Sequence, residues 1–399
     1  MGLPLKRENN TYKDSVRITN IFAKKESMTN TFTAVSILVG TIIGAGFLGI
    51  PYVAMQAGFG IGVIQIIAIA LIMTLVMLYL GEIIARTKKQ HQLVGYAEKY
   101  LGKTGKKIMF FSFVFGAYAA LLAYMIAEGE SWSFLLFNDA RYALACAIGF
   151  WFLLSIISYA GSKALKESES LGLMLVLVMI VSIVVLNAPK INIENLIYNN
   201  SSHILIPLGV IMFSFLGYSI LPEVKQVLGN QGRFMKRSII IAYVLAAIIY
   251  LVFTAVVLGF KGQNTPQVAT LALGKPFVLL GIITVFNASL ALSNSLIDTF
   301  VKDFRKTKQK AWLYVMLLPL AFYLVINLLG SVDFVTVISI GGLISGGLTI
   351  ALILLMLPKA KAHGDRNPEY SMPYSKKLLL LLIILFAIGA ILEIKNILG

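Results

Sequence analysis

Eleven apolar runs dominate this chain, at roughly 31–56, 60–85, 108–129, 142–160, 169–188, 204–225, 237–259, 276–300, 311–329, 333–357 and 377–395. A run of about 20 apolar residues matches the thickness of a bilayer's hydrocarbon core. Backbone groups in lipid must find their hydrogen-bond partners internally, so runs of this length predict helices. The expected fold is therefore an all-α membrane protein with eleven transmembrane helices. With 58% hydrophobic and only 13% charged residues, little chain is left for a soluble domain. Any chemistry has to take place inside the bundle or at its rim.

The net charge of +16 could suggest a nucleic-acid partner, but its distribution excludes one. If the N-terminus is cytoplasmic, 29 of the 34 Lys and Arg residues fall on that side, in residues 1–30 and alternate loops. Only Arg141, Lys190, Lys261, Lys275 and Lys395 fall on the other. Such asymmetry predicts a cell-membrane protein with its N-terminus inside and C-terminus outside. The basic surface then meets the anionic headgroups of the lipid bilayer. Residues 1–30 read as a cytoplasmic tail, and the first apolar run is too long and too late for a cleaved signal peptide. Cys146 is the single cysteine, and His91, His203 and His363 are scattered without metal-ligand spacing. No cofactor motif is visible, and a monomer or weak oligomer is expected.

Two of the apolar runs contain residues that a spanning helix should avoid. Run one carries Gly40, Gly44, Gly46, Gly49 and Pro51. That density weakens a helix, and Pro51 also removes a backbone donor. Gly40 and Gly44 also form a GxxxG pair, which by itself reads equally well as close helix packing. Run six repeats the oddity with Ser214, Gly217, Ser219, Pro222 and Glu223. Breaks five spans apart predict two five-helix units, 31–188 and 204–357, inserted with opposite orientation, with 377–395 as a peripheral addition. Short amphipathic stretches at 93–101 and 266–273 fall in corresponding loops on opposite faces, as inversion requires. In run ten, Gly341, Gly342, Gly346 and Gly347 read as a close-packing face, and Asp298 beside Lys302 reads as a helix-end ion pair.

A half-helix ending in mid-membrane exposes amides at its N-terminus and carbonyls at its C-terminus. Anions collect at the first and cations at the second. Two antiparallel breaks can thus hold a zwitterion without burying an ionised side chain, a burial that costs about 3 kcal/mol or more at the membrane centre. No grouping of nucleophile, base and oxyanion donors is present, so an enzyme has nothing to build on. Transport is the expected function. A non-transporting amino-acid sensor signalling through residues 1–30, or an exchanger, stands as the alternative.

The stretches Gly40-Thr41-Ile42-Ile43-Gly44-Ala45-Gly46-Phe47-Leu48-Gly49-Ile50-Pro51, 215–223 and 296–304 resemble helices one, six and eight of the tryptophan and tyrosine permeases and the wider amino acid/auxin permease family. The resemblance implies a leucine-transporter-type 5+5 inverted repeat with discontinuous helices 1 and 6. It also implies alternating access and an amino acid as the small-molecule substrate, neutral and aromatic in preference. It places the substrate carboxylate at the amides of Ala45 and Gly46 beside Thr41, with Gly44 also among the substrate-binding residues. The amino group and side chain fall at Phe213, Ser214, Phe215 and Tyr218, with Tyr118 of helix three capping the site. Gly40, Ile43, Ser289 and Ser293 match the cation positions of sodium-coupled relatives. Glu223 is the alternative proton carrier, since residues 169–188 lack the mid-helix lysine of a proton-coupled pattern. Sodium and protons both stay open as the coupling ion.

Overall fold

The computed structural model describes residues 30–160, 165–229, 232–302, 304–330, 333–377, 380–384, 387–389 and 391, and among these every regular element is a helix. The expected tail, but for Asn30, lies outside the described residues. Of the last expected span, only 380–384, 387–389 and 391 are described, and they are helical.

In chain order the bundle comprises α1a (Asn30–Ile42) and α1b (Ala45–Ala57), α2 (Phe59–Ala85), α3 (Leu93–Phe137) and α4 (Ala143–Ala160). Then follow α5 (Leu165–Asn187), α6a (Pro207–Ser214), α6b (Leu221–Leu228), α7 (Met235–Lys261), α8 (Lys275–Lys302), α9 (Lys308–Leu329) and α10 (Phe334–His363). Eight helices among the described residues are long and apolar enough to cross a membrane, or nine if the bent pair α1a and α1b is one span. Run 169–188 contributes only a shorter apolar helix, Val176–Lys190.

Local chemistry explains the element ends. Asp333 caps α10 by accepting from the Thr336 amide at 2.8 Å, and Thr307 caps α9 by accepting from Lys310. A single residue, Gly58, reverses the chain between α1b and α2 at φ 104°, and a Cβ there would fall 2.6 Å from Asn199 Cα. Only glycine meets both demands. Gly102, at φ 73°, breaks α3 after the 93–101 stretch. The apolar face of that stretch (Leu93, Val94, Tyr96, Ala97, Tyr100) is buried in the bundle.

Helices α6 and α10 form the interior, with 72% and 67% of their apolar windows buried, against 28% for α4 and 22% for α9. The large apolar side chains that α4 and α9 leave uncovered, such as Phe152, Leu317 and Phe322, are what a lipid-facing surface requires. Tight packing of α10 on α6a and α3 follows from small residues. A Cβ on Gly342 would meet the Gly209 carbonyl at 2.3 Å, and one on Gly341 would meet Ala119 at 2.8 Å. The expected close-packing face is present there, and a π-helical turn at Gly342–Gly346 carries Ser345 toward α3 and α6.

One end of the bundle is fastened by a charged hub. Glu82, fully buried at the end of α2, pairs with Arg86 and Lys361, each at 2.9 Å, and accepts from the Met372 amide and Ser371 hydroxyl. Nearby, Asp365 takes bonds from the Lys99 ammonium and the Lys88 amide, which hold its carboxyl below the usual range. Desolvation acts to raise Glu369, but hydrogen bonds, including those from Arg366 and Lys225, outweigh it and leave the group lowered. Lys225 is therefore committed to Glu369.

Candidate functional site

Helix α1 is interrupted where its glycines crowd. Segment α1a ends at Ile42, the chain bends through Ile43 and Gly44, and α1b starts at Ala45 as a 3-10 turn that becomes α-helical at Ile50. The two segments meet at 49°. Pro51 sits in the first α-helical turn, where its missing N–H is tolerated. Close approach explains two of the glycines. A Cβ on Gly44 would lie 2.8 Å from the Tyr124 hydroxyl, and one on Gly46 would lie 2.8 Å from both the Phe213 ring and Ser214 Oγ.

Helix α6 breaks at the same place in the bundle. Segment α6a ends at Ser214, Leu216 and Gly217 are not helical, and a 3-10 turn at Tyr218–Ile220 leads into α6b with Pro222 in its first turn. Both interruptions border one cavity of about 580 Å³. From the expected substrate residues, Thr41, Gly44, Gly46, Phe213, Ser214 and Tyr218 line it, as do Gly40, Ile43 and Glu223 from the expected ion residues. Facing walls come from Ala117, Ala120 and Tyr124 on α3 and from Asn287, Ala288 and Ala291 on α8. The cavity runs on to Asp298, Lys302 and Lys308. Asp298 and Lys302 pair at 2.6 Å, the helix-end ion pair expected there.

Several expected residues are placed elsewhere. Tyr118 does not reach the cavity; it donates to the Tyr314 carbonyl on α9 at 3.1 Å. Six helical positions leave two side chains about 120° apart around the axis, so Tyr118 and Tyr124 cannot share a face. Tyr124 takes the facing position instead, with its hydroxyl against Gly44 at the α1 interruption. Ala45 is fully buried beneath it. Phe215 packs edge-on against Tyr250 at 4.9 Å and does not line the cavity. Ser289 bonds back to the Val285 carbonyl at 2.7 Å, and the buried Ser293 hydroxyl has no partner among the described residues. Neither serine borders the cavity that Gly40 and Ile43 line. The Thr41 and Ser214 hydroxyls also bond back to their own helix, to Ile37 and Val210.

The sequence reading missed three residues that face the breaks. Tyr124 belongs to a row, Gly116, Ala120, Tyr124, whose spacing of four was the available signal. From α7, the Tyr250 hydroxyl reaches the Ile42 carbonyl at 2.9 Å and the Ser214 carbonyl at 2.6 Å, while Tyr243 donates to the Phe215 carbonyl at 3.0 Å. Two tyrosines seven apart in an apolar helix share a face, and that spacing was legible. The Ser214 and Phe215 carbonyls, expected to receive a substrate amino group, already hold these hydroxyls.

A bundle of apolar helices with lipid-facing flanks and a central cavity between interrupted segments defines a multi-pass membrane protein. Residues 27–269 match the tryptophan/tyrosine permease family, and the chain belongs to it. It is 22% identical over 242 residues to the tyrosine-specific transport system 1 of Haemophilus influenzae, covering 59% of this chain and 60% of that one. It is 24% identical over 242 residues to glutamine transporter 2 of Aliivibrio fischeri, covering 58% and 62%. The chain thus spans about 60% of the length of the curated relatives it matches.

Proposed function

We propose that this chain is a secondary active transporter that imports neutral amino acids across the cell membrane, coupled to an inward ion gradient. The observation that carries the reading is the convergence of both helix interruptions on one cavity. Amides at the start of α1b suit a carboxylate, and a cavity of this size suits a small zwitterion. The names of two relatives, a tyrosine and a glutamine transporter, support an amino acid substrate with an uncharged side chain.

The transport cycle would be alternating access between two inverted five-helix units, 31–188 and 204–357, in an eleven-span chain with its N-terminus inside. Paired interruptions in α1 and α6 support that arrangement. The cavity continues to Lys302 and Lys308, on the side that the charge asymmetry assigns to the cytoplasm, which suits an inward-facing state. Tyr124 supports the substrate carboxylate in this scheme, in the capping role expected of Tyr118. Glu223 faces the cavity and is the better-placed ion-coupling group; Ser289 and Ser293 contribute only if α8 turns. A membrane potential of 100 mV supplies about 2.3 kcal/mol per cation, enough for more than tenfold accumulation.

The deciding experiment is uptake of labelled tyrosine, tryptophan, glutamine and leucine into proteoliposomes under an imposed sodium or proton gradient. Accumulation under one gradient alone is expected and identifies the ion. Binding without uptake under either gradient refutes coupled transport.

A further inference from the structure

Carbonyl groups at the C-terminal end of a half-helix carry partial negative charge, and a pair of such ends is where a membrane carrier attracts a cation. In this chain α1a and α6a both end at the cavity, and carbonyls from the two ends, Ile42 and Ser214, converge on one point. That point is filled. The Tyr250 hydroxyl stands 2.9 Å from one oxygen and 2.6 Å from the other, its single proton shared between them.

The ring that carries this hydroxyl is wedged. It stacks parallel to Phe47 of α1b at 6.3 Å and meets Phe215 of the α6 interruption edge-on at 4.9 Å. Tyr250 is fully buried, and Phe253, one turn on, also packs edge-on against Phe47 at 5.0 Å. Two turns earlier Tyr243 holds the next carbonyl, that of Phe215. The Tyr250 phenol cannot swing aside without disturbing both interrupted helices.

We infer that the Tyr250 hydroxyl occupies the cation-attracting point shared by α1a and α6a, so that a fixed phenol takes the place of a bound monovalent cation. Tyr250 is then a positioning residue that holds the two interruptions in register for substrate. Any coupling ion binds elsewhere, and the substrate carboxylate is not bridged by a cation at this point. The inference goes beyond the transport reading and borrows from it only the binding readout.

The test compares wild type, Tyr250→Phe and Tyr250→Ser. Labelled tyrosine and glutamine binding is measured across a sodium series with choline as the balancing salt, and thermal unfolding across the same series. Removing the hydroxyl alone, in Tyr250→Phe, is expected to weaken binding about tenfold at every sodium level, because two buried acceptors lose their donor. Tyr250→Ser opens the point. Its affinity should recover with sodium along a log–log slope steeper than that of wild type by about one ion. Its unfolding temperature should rise with sodium more than that of wild type. Tyr250→Phe binding within twofold of wild type, or equal sodium dependence of wild type and Tyr250→Ser, overturns the inference. If wild type binds no amino acid, the transport reading fails, and the thermal arm still decides the inference.

Discussion

Replacing Gly46 by alanine adds one methyl group at the closest approach of α1b to α6a. The new carbon would lie 2.8 Å from a Phe213 ring carbon, 2.8 Å from Ser214 Oγ and 3.1 Å from Ser214 Cα. Carbon atoms rest at about 3.5–4.0 Å, so a gap of roughly half an ångström has to open. The Phe213 ring and the Ser214 hydroxyl can turn, but Ser214 Cα moves only with α6a. Overpacking of this kind costs about 1–3 kcal/mol. It also separates the start of α1b from the end of α6a, the two elements that border the cavity. Gly46→Ala is expected to lower the thermal stability of the purified protein and to weaken amino acid binding about tenfold or more. Gly149→Ala is the control. Beyond its own helix backbone, no atom of the described residues lies within 4 Å of the added carbon there, and alanine gains up to about 1 kcal/mol of helix propensity. Wild-type binding and stability in Gly46→Ala, or equal damage in both variants, would refute the packing argument.

Tyr124→Phe, which removes the hydroxyl that faces the cavity beside Gly44, should weaken binding about fivefold or more, whereas Tyr118→Phe, which breaks only the bond to Tyr314, should leave it unchanged; equilibrium binding decides. Glu82→Ala leaves Arg86 and Lys361 without their shared partner and should cost about 3 kcal/mol, read as a lower unfolding temperature and faster proteolysis at 364–374. The folded-state carboxyls of Asp365 and Glu369 are lowered, so their contribution is complete above the unfolded values of about 4 and is lost as pH falls through the folded ones. The protection of residues 364–374 against hydrogen exchange, taken relative to the intrinsic amide rate at each pH, should accordingly stay flat from pH 8 to 5 and fall only below about 4; a loss already at pH 6 would contradict that assignment.

Hydropathy and helix-breaking residues are local properties, and what depends on them was legible in the chain itself. The apolar runs set where the long helices lie, because length and burial of backbone groups in lipid leave no other structure. The crowding of Gly44, Gly46 and Pro51, and of Gly217 and Pro222, marked both interruptions to within a few residues. Which side chains face those interruptions depends on how each helix is rotated against its neighbours. Rotation is fixed by packing between elements far apart in sequence, such as Gly116 against Ser345 or Gly209 against Ser339. A rotation of about 120° separates Tyr118 from Tyr124, and the one-dimensional reading of α3 could not choose between them. Nor could it show that Tyr243 and Tyr250 of α7 reach the exposed carbonyls, since α7 carries no break or charge at those positions to draw attention to it. The sequence by itself determined that the chain is a bundle of apolar, membrane-length helices and where the interruptions fall. Only the tertiary structure decided which donors complete them, because an unpaired carbonyl is satisfied by whatever the neighbouring helix brings within about 3 Å.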